Sequence, residues 1–537
     1  MSMEETKSKK VAIIGAGTSG LVAMKCCLDE GLVPVCYERT SDIGGLWCFR
    51  EYSDKPENRF STTTVCRSTV TNISKEFMAF SDFPMPKEFP NYLHNSHVYN
   101  YLDMYAEKFN LKPHIVFNTN VKLISKTDDY DSTGRWRLDL ENKDGCVGQE
   151  IYDAVLVCNG HDVTPLYPQL SGLEDFQGNV IDTKDYKRPI GYDDKRVLVV
   201  GIGNSACDVA VELARIAEKV YLSTRGGSWI LSRLQEGGLP LDVIAIRRVG
   251  GLIPEPLREW KLQRGINNRL DHTIHPLKPK HGIFASGITV NDELPYHIVN
   301  GNIVLKPDVK RLTKTSVEFQ DGTYEDIDCV ILGTGYDITF PIDPSIVSVD
   351  NCKVHLYRFM FPPDLKHPTL AIIGLTKQAG PVNPVSELQS RWCARLIKGI
   401  CKLPSEDQMV QHIAKHKEIQ KKTCRESPRL TTKIDFIPYM DEIASEIGAK
   451  PDLWKMMFED PMLSLRCFFG PCYPYQYRLV GPGKWDGAKE AIETAWDRIT
   501  GAYQTRQVPE DETSNLATIL FIVGLCGLLI SIIYLLL

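Results

Sequence analysis

Two stretches far apart in the chain share one design: VAIIGAGTSGLVAM at 11–24 and RVLVVGIGNSACDVAVELA at 196–214. In each, a Val- and Ile-rich or Val- and Leu-rich run breaks at glycines and continues as a helix-like stretch. The first sets Gly15, Gly17 and Gly20 between a strand at 11–14 and a helix at 21–30. A glycine triad at that spacing makes a tight turn, lets backbone approach a pyrophosphate and packs the helix closely on the strand. The phosphate then rests on unpaired helix N–H groups. A second strand, VPVCYE, follows and ends in Glu38, placed to accept hydrogen bonds from a ribose diol.

The second unit has Gly201, Gly203 and Ala206 between a strand at 197–200 and a helix at 207–218. Where Glu38 stands in the first, KVYLSTRGG offers Thr224 and Arg225. A carboxylate beside a 2′-phosphate would be repelled by about 4 kcal/mol at an effective dielectric of about 20, whereas an arginine attracts it and can bond bidentately. The first unit is therefore expected to hold a dinucleotide with free ribose hydroxyls, FAD, and the second to prefer NADPH over NADH. One chain gripping both would keep one cofactor resident while the other delivers electrons to it.

The runs DAVLVCNG at 153–160 and DCVILGTGY at 328–336 bracket the second unit. The expected fold is α/β: two Rossmann-like dinucleotide-binding domains, the second inserted in the first, plus a C-terminal transmembrane helix. The limits are 1–159 for the first part of the FAD domain, 160–331 for the NADPH domain with an insertion at about 239–290, and 332–445 for the returning part. A helical region at 446–514 and a tail anchor at 515–537 follow. A chain of 537 residues can bury more than one core. Its net charge of −6 gives no basic field to attract nucleic acid, and 16 scattered cysteines suggest reduced thiols on the cytosolic side. The tail LATILFIVGLCGLLISIIYLLL carries no charge and as a helix would reach roughly 33 Å. The stretch 239–280 is basic with Leu, Ile and Trp interspersed; it reads equally as a surface resting on anionic lipid or as a solvated helical hairpin over the site.

Further runs, GGLW at 44–47, VTNISKE at 70–76, FPNYLHNS at 89–96, LSTRGGSW at 222–229, VNDELP at 290–295, GTGYDITFPI at 333–342 and ELQSRW at 387–392, make the chain resemble the animal, membrane-bound flavin-containing monooxygenases over nearly its whole length. The resemblance implies FAD and NADPH, with NADPH reducing FAD and the reduced ring taking up dioxygen as a C4a-hydroperoxide. It also implies a soft nitrogen or sulfur of a small lipophilic molecule, amine or sulfide, as substrate, some relatives instead inserting oxygen beside a ketone. An endoplasmic reticulum membrane with the catalytic body facing the cytosol goes with it. Asn72 matches a family residue near flavin N5 and C4a; Gly45, Leu46, Trp47 and Gln389 are placed by the flavin, and Asn204 and Ser205 by NADP. NIS is also a glycosylation sequon, which the cytosolic orientation opposes. One departure stands out: in the family signature F-x-G-x-x-x-H, Phe176, Gly178 and the later Tyr186 match, but Asp182 replaces the histidine. That bears on coupling between NADP binding, domain arrangement and oxygen chemistry.

Two rivals remain. A flavin disulfide reductase needs a redox-active cysteine pair, and Cys26 with Cys27 or Cys467 with Cys472 fit that badly. A membrane-anchored nucleotide sensor that binds a partner, or an NADPH oxidase, would carry the same fingerprints.

Overall fold

The computed structural model describes residues 8–51 and 64–506, apart from 286, 426, 428 and 429. The expected anchor at 515–537 lies outside the described residues, and among those described no helix is long and apolar enough to cross a membrane.

Two five-stranded parallel sheets carry the molecule. The first uses β1 (Lys10–Ile14), β2 (Val33–Tyr37), β3 (Ile115–Val116) and β4 (Ala154–Val157). Val11, Ala12 and Ile13 of β1 have no solvent exposure, as a strand covered on both faces requires, which is why it reads as an unbroken apolar run. The second uses β5 (Asn179–Asp182), β6 (Arg196–Val200), β7 (Lys219–Ser223), β8 (Ile303–Lys306) and β9 (Cys329–Leu332). The chain then returns to the first sheet with β10 (Leu370–Ile372), Leu370 opposite Val155 of β4. The strand orders are β10-β4-β1-β2-β3 and β8-β7-β6-β9-β5. In both, the strand before the glycine turn is central and its neighbours approach from opposite directions in sequence, which opens a crevice at the strand ends where ligands bind.

Helix α1 (Thr18–Asp29) follows β1, and α2 (Asn204–Leu213) follows β6. Within the expected insertion, α3 (Glu255–Arg269) has no buried residue. Helix α4 (Asn383–Lys398) packs on α1 and buries every side chain except Arg395 and Lys398. Short helices at Leu453–Glu459, Pro461–Phe469, Ala488–Glu493 and Ala495–Gly501 make the carboxyl-terminal part helical.

That part is joined to the first sheet's side by buried charge. Arg478 reaches Glu387 at 2.6 Å and Asp82 at 2.8 Å, and Lys25 reaches Asp82 at 2.6 Å. Desolvating such charges costs several kcal/mol each unless each is paired; here two cations meet two carboxylates. Tyr475, Gln476, Tyr477 and Arg478 are all buried, so this stretch packs between the two parts.

Candidate active site

The glycine turns were expected to cradle phosphates, and at several positions their geometry leaves no room for a side chain. Gly15 has φ +101°, and a Cβ there would sit 2.9 Å from the Cys158 carbonyl oxygen. On Gly20 it would lie 1.8 Å from the Gly15 oxygen, so only glycine lets α1 approach β1 this closely. Gly45 faces Gly17, a Cβ on it falling 3.0 Å from the Gly17 Cα. The Gly44 N–H also donates to the Ala16 oxygen at 3.0 Å, so the GGLW turn and the first glycine turn form one surface. In the second unit Gly201 has φ +116°, and a Cβ would lie 2.4 Å from the Gly333 oxygen.

Both helices that leave these turns begin at glycine, α1 at Gly17 and α2 at Gly203, and neither N-terminus has a side-chain cap. Their first-turn N–H groups face a common cavity and have no helical acceptor. An anion fits there, with the helix dipole favouring it.

The cavity measures about 2420 Å³, well beyond the roughly 300–1,000 Å³ of a single-ligand pocket. It is lined by Gly15, Gly17, Glu38, Gly45, Leu46 and Trp47 of the first unit, by Asn72, and by Gly203, Asn204, Ser205 and Asp208 of the second. Leu241, Ile244, Leu257, Trp260 and Phe284 of the insertion form an apolar wall. The stretch 239–280 thus contributes part of the cavity lining.

Glu38 ends the strand run buried, its Oε2 accepting from the Ala16 N–H at 2.8 Å and its Oε1 from the Thr40 N–H at 2.9 Å. Donors thus fix the carboxylate at the cavity edge, with lone pairs to spare for hydroxyls. Asn204 Oδ1 accepts from the Val290 N–H at 2.8 Å, and exposed Ser205 makes no cap. Thr224 Oγ1 accepts from the Gly227 N–H at 3.0 Å, shaping the turn that presents exposed Arg225.

Gln389 is a correction. It is fully buried, its Oε1 accepting from the Gly374 N–H at 2.8 Å and its Nε2 donating to the Tyr439 hydroxyl at 2.7 Å. Each end of the amide is bonded to protein, and Gln389 lies behind the cavity lining, supporting it through Gly374. Trp392 is core, edge-on to Phe361. Asp182 ends β5 buried, its Oδ1 accepting from the Lys184 N–H at 2.8 Å. Burial raises its pKa. It braces the turn that brings Thr183 to the cavity.

Four residues at the site carry no mark in the sequence pattern. Arg233 donates from Nη2 to Asn72 Oδ1 at 2.7 Å across 161 residues of chain. Asp242 accepts from the Ser74 N–H at 2.6 Å, and burial raises its pKa to about 6. Asp208 is likewise raised to about 6 by burial, against the opposing pull of Arg233. Arg425, from the returning part, lines the cavity. Each meets its surroundings through tertiary contact, so spacing alone does not reveal it.

Two uncapped glycine cradles on one cavity, a carboxylate at the first and an arginine at the turn beyond the second, define an oxidoreductase that works with FAD and NADPH. The comparisons narrow the class. The family model described as flavin-binding monooxygenase-like matches residues 8–537. Over 529 residues the chain is 44% identical to dimethylaniline monooxygenase, N-oxide-forming, 2 of Rattus norvegicus, covering 97% of each chain. It is 45% identical to flavin-containing monooxygenase 5 of Cavia porcellus over 514 residues, covering 94% of this chain and 95% of that one. In fold it is similar to the S-allyl-L-cysteine S-oxygenase of Allium sativum, with TM-score 0.63, 24% identity and coverage of 92% and 99%. It is also similar to an oxidized steroid monooxygenase bound to NADP, with TM-score 0.60, 17% identity and coverage of 82% and 97%. The chain belongs to the flavin-binding monooxygenase-like family. Its activity is that of an FAD- and NADPH-dependent monooxygenase.

Proposed function

We propose that this monooxygenase oxygenates a soft nitrogen or sulfur of small lipophilic molecules, with Asn72 as the polar group beside the reacting centre. The observation that carries this reading is the single cavity running from Gly15 and Gly17, past Asn72, to Gly203 and Asn204. Bound FAD supplies the redox chemistry, taking electrons from NADPH and activating dioxygen. The chain's residues do the rest. Gly15, Gly17, Gly20, Glu38, Gly45, Leu46 and Trp47 hold FAD; Gly201, Gly203, Asn204, Ser205, Thr224 and Arg225 hold NADPH. Arg425 adds a second cation near Arg225. The apolar wall from the insertion offers nonpolar contact to a lipophilic substrate.

Asn72 suits its task because an amide donates a hydrogen bond without readily releasing a proton. The names of relatives that form N-oxides support nitrogen as the target, and the S-oxygenase of like fold is compatible with sulfur. The division at 1–159, 160–331 and 332–445 is supported by β10 joining the first sheet after the second is complete. The endoplasmic reticulum membrane, reached through 515–537, is supported by the uncharged run of that tail.

A panel of amines, sulfides and ketones assayed by product mass tests the reading, with wild type against Asn72→Asp. Asn72→Asp should keep FAD and lose product in favour of hydrogen peroxide, by tenfold or more, since a removed donor to developing negative charge costs roughly 10²–10³ in rate. Normal turnover by that variant would refute the role of Asn72, and turnover of ketones alone would refute the substrate class.

A further inference from the structure

The turn that carries Asn72 is tied to its own side through Thr71, whose N–H donates to the Leu93 oxygen at 2.8 Å and whose Oγ1 accepts from the Leu93 N–H at 2.9 Å. The Asn95 N–H donates to the Thr69 oxygen at 3.1 Å and the Lys75 N–H to the Asn91 oxygen at 2.8 Å, also on its own side, and further bonds to the turn itself come from the NADPH side. Arg233 Nε donates to the Thr71 oxygen at 3.0 Å and Nη2 to Asn72 Oδ1 at 2.7 Å. Asp242 Oδ2 accepts from the Ser74 N–H at 2.6 Å.

Arg233 is itself held in place. Asp292 accepts from its Nη1 and from its backbone N–H, each at 3.0 Å. Asp292 in turn accepts from Ser232 Oγ at 2.6 Å and, through its backbone oxygen, from Arg269 Nη2 at 3.0 Å, the last residue of α3. The guanidinium side chain is only 12% exposed, so water does not compete strongly for it.

A guanidinium carries donors only. The atom of Asn72 that faces it must therefore be Oδ1, and the amide nitrogen is the end left to serve the cavity. An amide without this bond could present either end, and the oxygen end would repel developing negative charge. Charge-assisted bonds of this kind are roughly twice as strong as neutral ones.

We propose that Arg233 is the positioning residue for Asn72, and that with Asp242 it forms a two-point clamp by which the NADPH-binding part sets the amide's orientation. This rests on the reading of Asn72 given above. It makes oxygen transfer depend on how the two nucleotide-binding parts sit together, because either clamp residue loses its hold if they separate. The backbone of Arg233 does separate work: its oxygen accepts from the Tyr92 hydroxyl at 2.6 Å and from the Leu241 N–H at 2.8 Å, and a side-chain substitution leaves those bonds in place.

The experiment uses full-length holoprotein carrying Arg233→Lys, Asn72→Ala, both together, or Asp242→Ala. Two things are read: hydrogen exchange of the peptide spanning 68–78 without added nicotinamide nucleotide, and the peroxide-to-product ratio with NADPH. Arg233→Lys should speed exchange in that peptide, leave the peptide covering β6 unchanged, and raise the ratio several-fold. In the Asn72→Ala background it should raise the ratio no further. Asp242→Ala, which removes the acceptor for the Ser74 N–H, should give the same exchange signature, which keeps the clamp testable if Arg233→Lys does not fold. Unchanged exchange in both clamp variants overturns the proposal, and so does an equal rise in the ratio with and without Asn72. If Asn72→Ala alone leaves the ratio normal, the reading of Asn72 fails instead. Exchange then decides the clamp by itself, faster exchange supporting it and unchanged exchange overturning it.

Discussion

Asp208 shows what a single carboxylate gives up by lining this cavity. Its Oδ1 accepts one hydrogen bond, from Asn291 Nδ2 at 3.0 Å, and burial lifts its pKa to about 6. The unfolded chain titrates the same group near 3.9, so between about pH 4 and 6 the native state binds the proton more tightly than the unfolded one. The contribution of this group to stability is thus full below about pH 4 and is lost as pH rises through 6. A shift of about two units corresponds to ~3 kcal/mol. Asp208→Asn keeps an oxygen for Asn291 and removes the charge. It should melt a few degrees above wild type at pH 8, with most of that gain gone at pH 4.5, by scanning calorimetry; an equal gain at both values would count against burial as the cause. The contrast with Glu38 is instructive. Glu38 was legible in the sequence because it ends a strand at a fixed distance from a glycine turn, whereas the importance of Asp208 depends on how deeply the fold buries it.

At the scale of elements, the two nucleotide units solve one packing problem differently. The first keeps glycine at the third position, since a Cβ on Gly20 would lie 1.8 Å from the Gly15 oxygen. The second tolerates Ala206 there because Gly333, after β9, leaves space: a Cβ on Gly333 would meet the Ala206 Cβ at 2.6 Å. Gly333→Ala should therefore overpack the joint between α2 and β9 and cost about 1–3 kcal/mol. Adding Ala206→Gly should return most of it, the two sites being in contact and so non-additive. Denaturant unfolding of the single and double variants checks this, and two losses that simply sum would sink the idea of a shared space. Strands, turns and helices of both units were readable because each has a local pattern: an apolar run buried on both faces, a glycine turn, then a helix. Gln389 was misread for the opposite reason. A sequence places it on a helix near the flavin, but only the packed structure shows the Gly374 N–H and the Tyr439 hydroxyl absorbing both ends of its amide.

For the molecule as a whole, the fold brings together two arginines that the sequence keeps far apart. Arg225 stands at the end of β7 in the second sheet. Arg425 lies about two hundred positions later, after the helix Glu406–Thr423, and its N–H donates to the Ala285 oxygen at 2.9 Å, which pins the returning part onto the insertion. The Arg425 pKa is lowered first by burial and next by the charge of Arg225. Its Nε is buried and has no hydrogen-bond partner among the described residues. Two like charges held together disfavour each other's charged form unless an anion lies nearby, and under the proposed assignment of NADPH to this unit its 2′-phosphate is such an anion. Arg425→Gln should accordingly raise KM for NADPH about tenfold, equivalent to about 1.4 kcal/mol, and leave KM for NADH unchanged. Arg225→Gln should act in the same direction and more strongly, because its strand-end position is fixed by the second sheet alone. If Arg425→Gln weakens both nucleotides equally, the residue serves the cavity wall and discrimination belongs to one sheet; if it moves NADPH alone, the reductant is recognised only when the returning part has closed on the insertion.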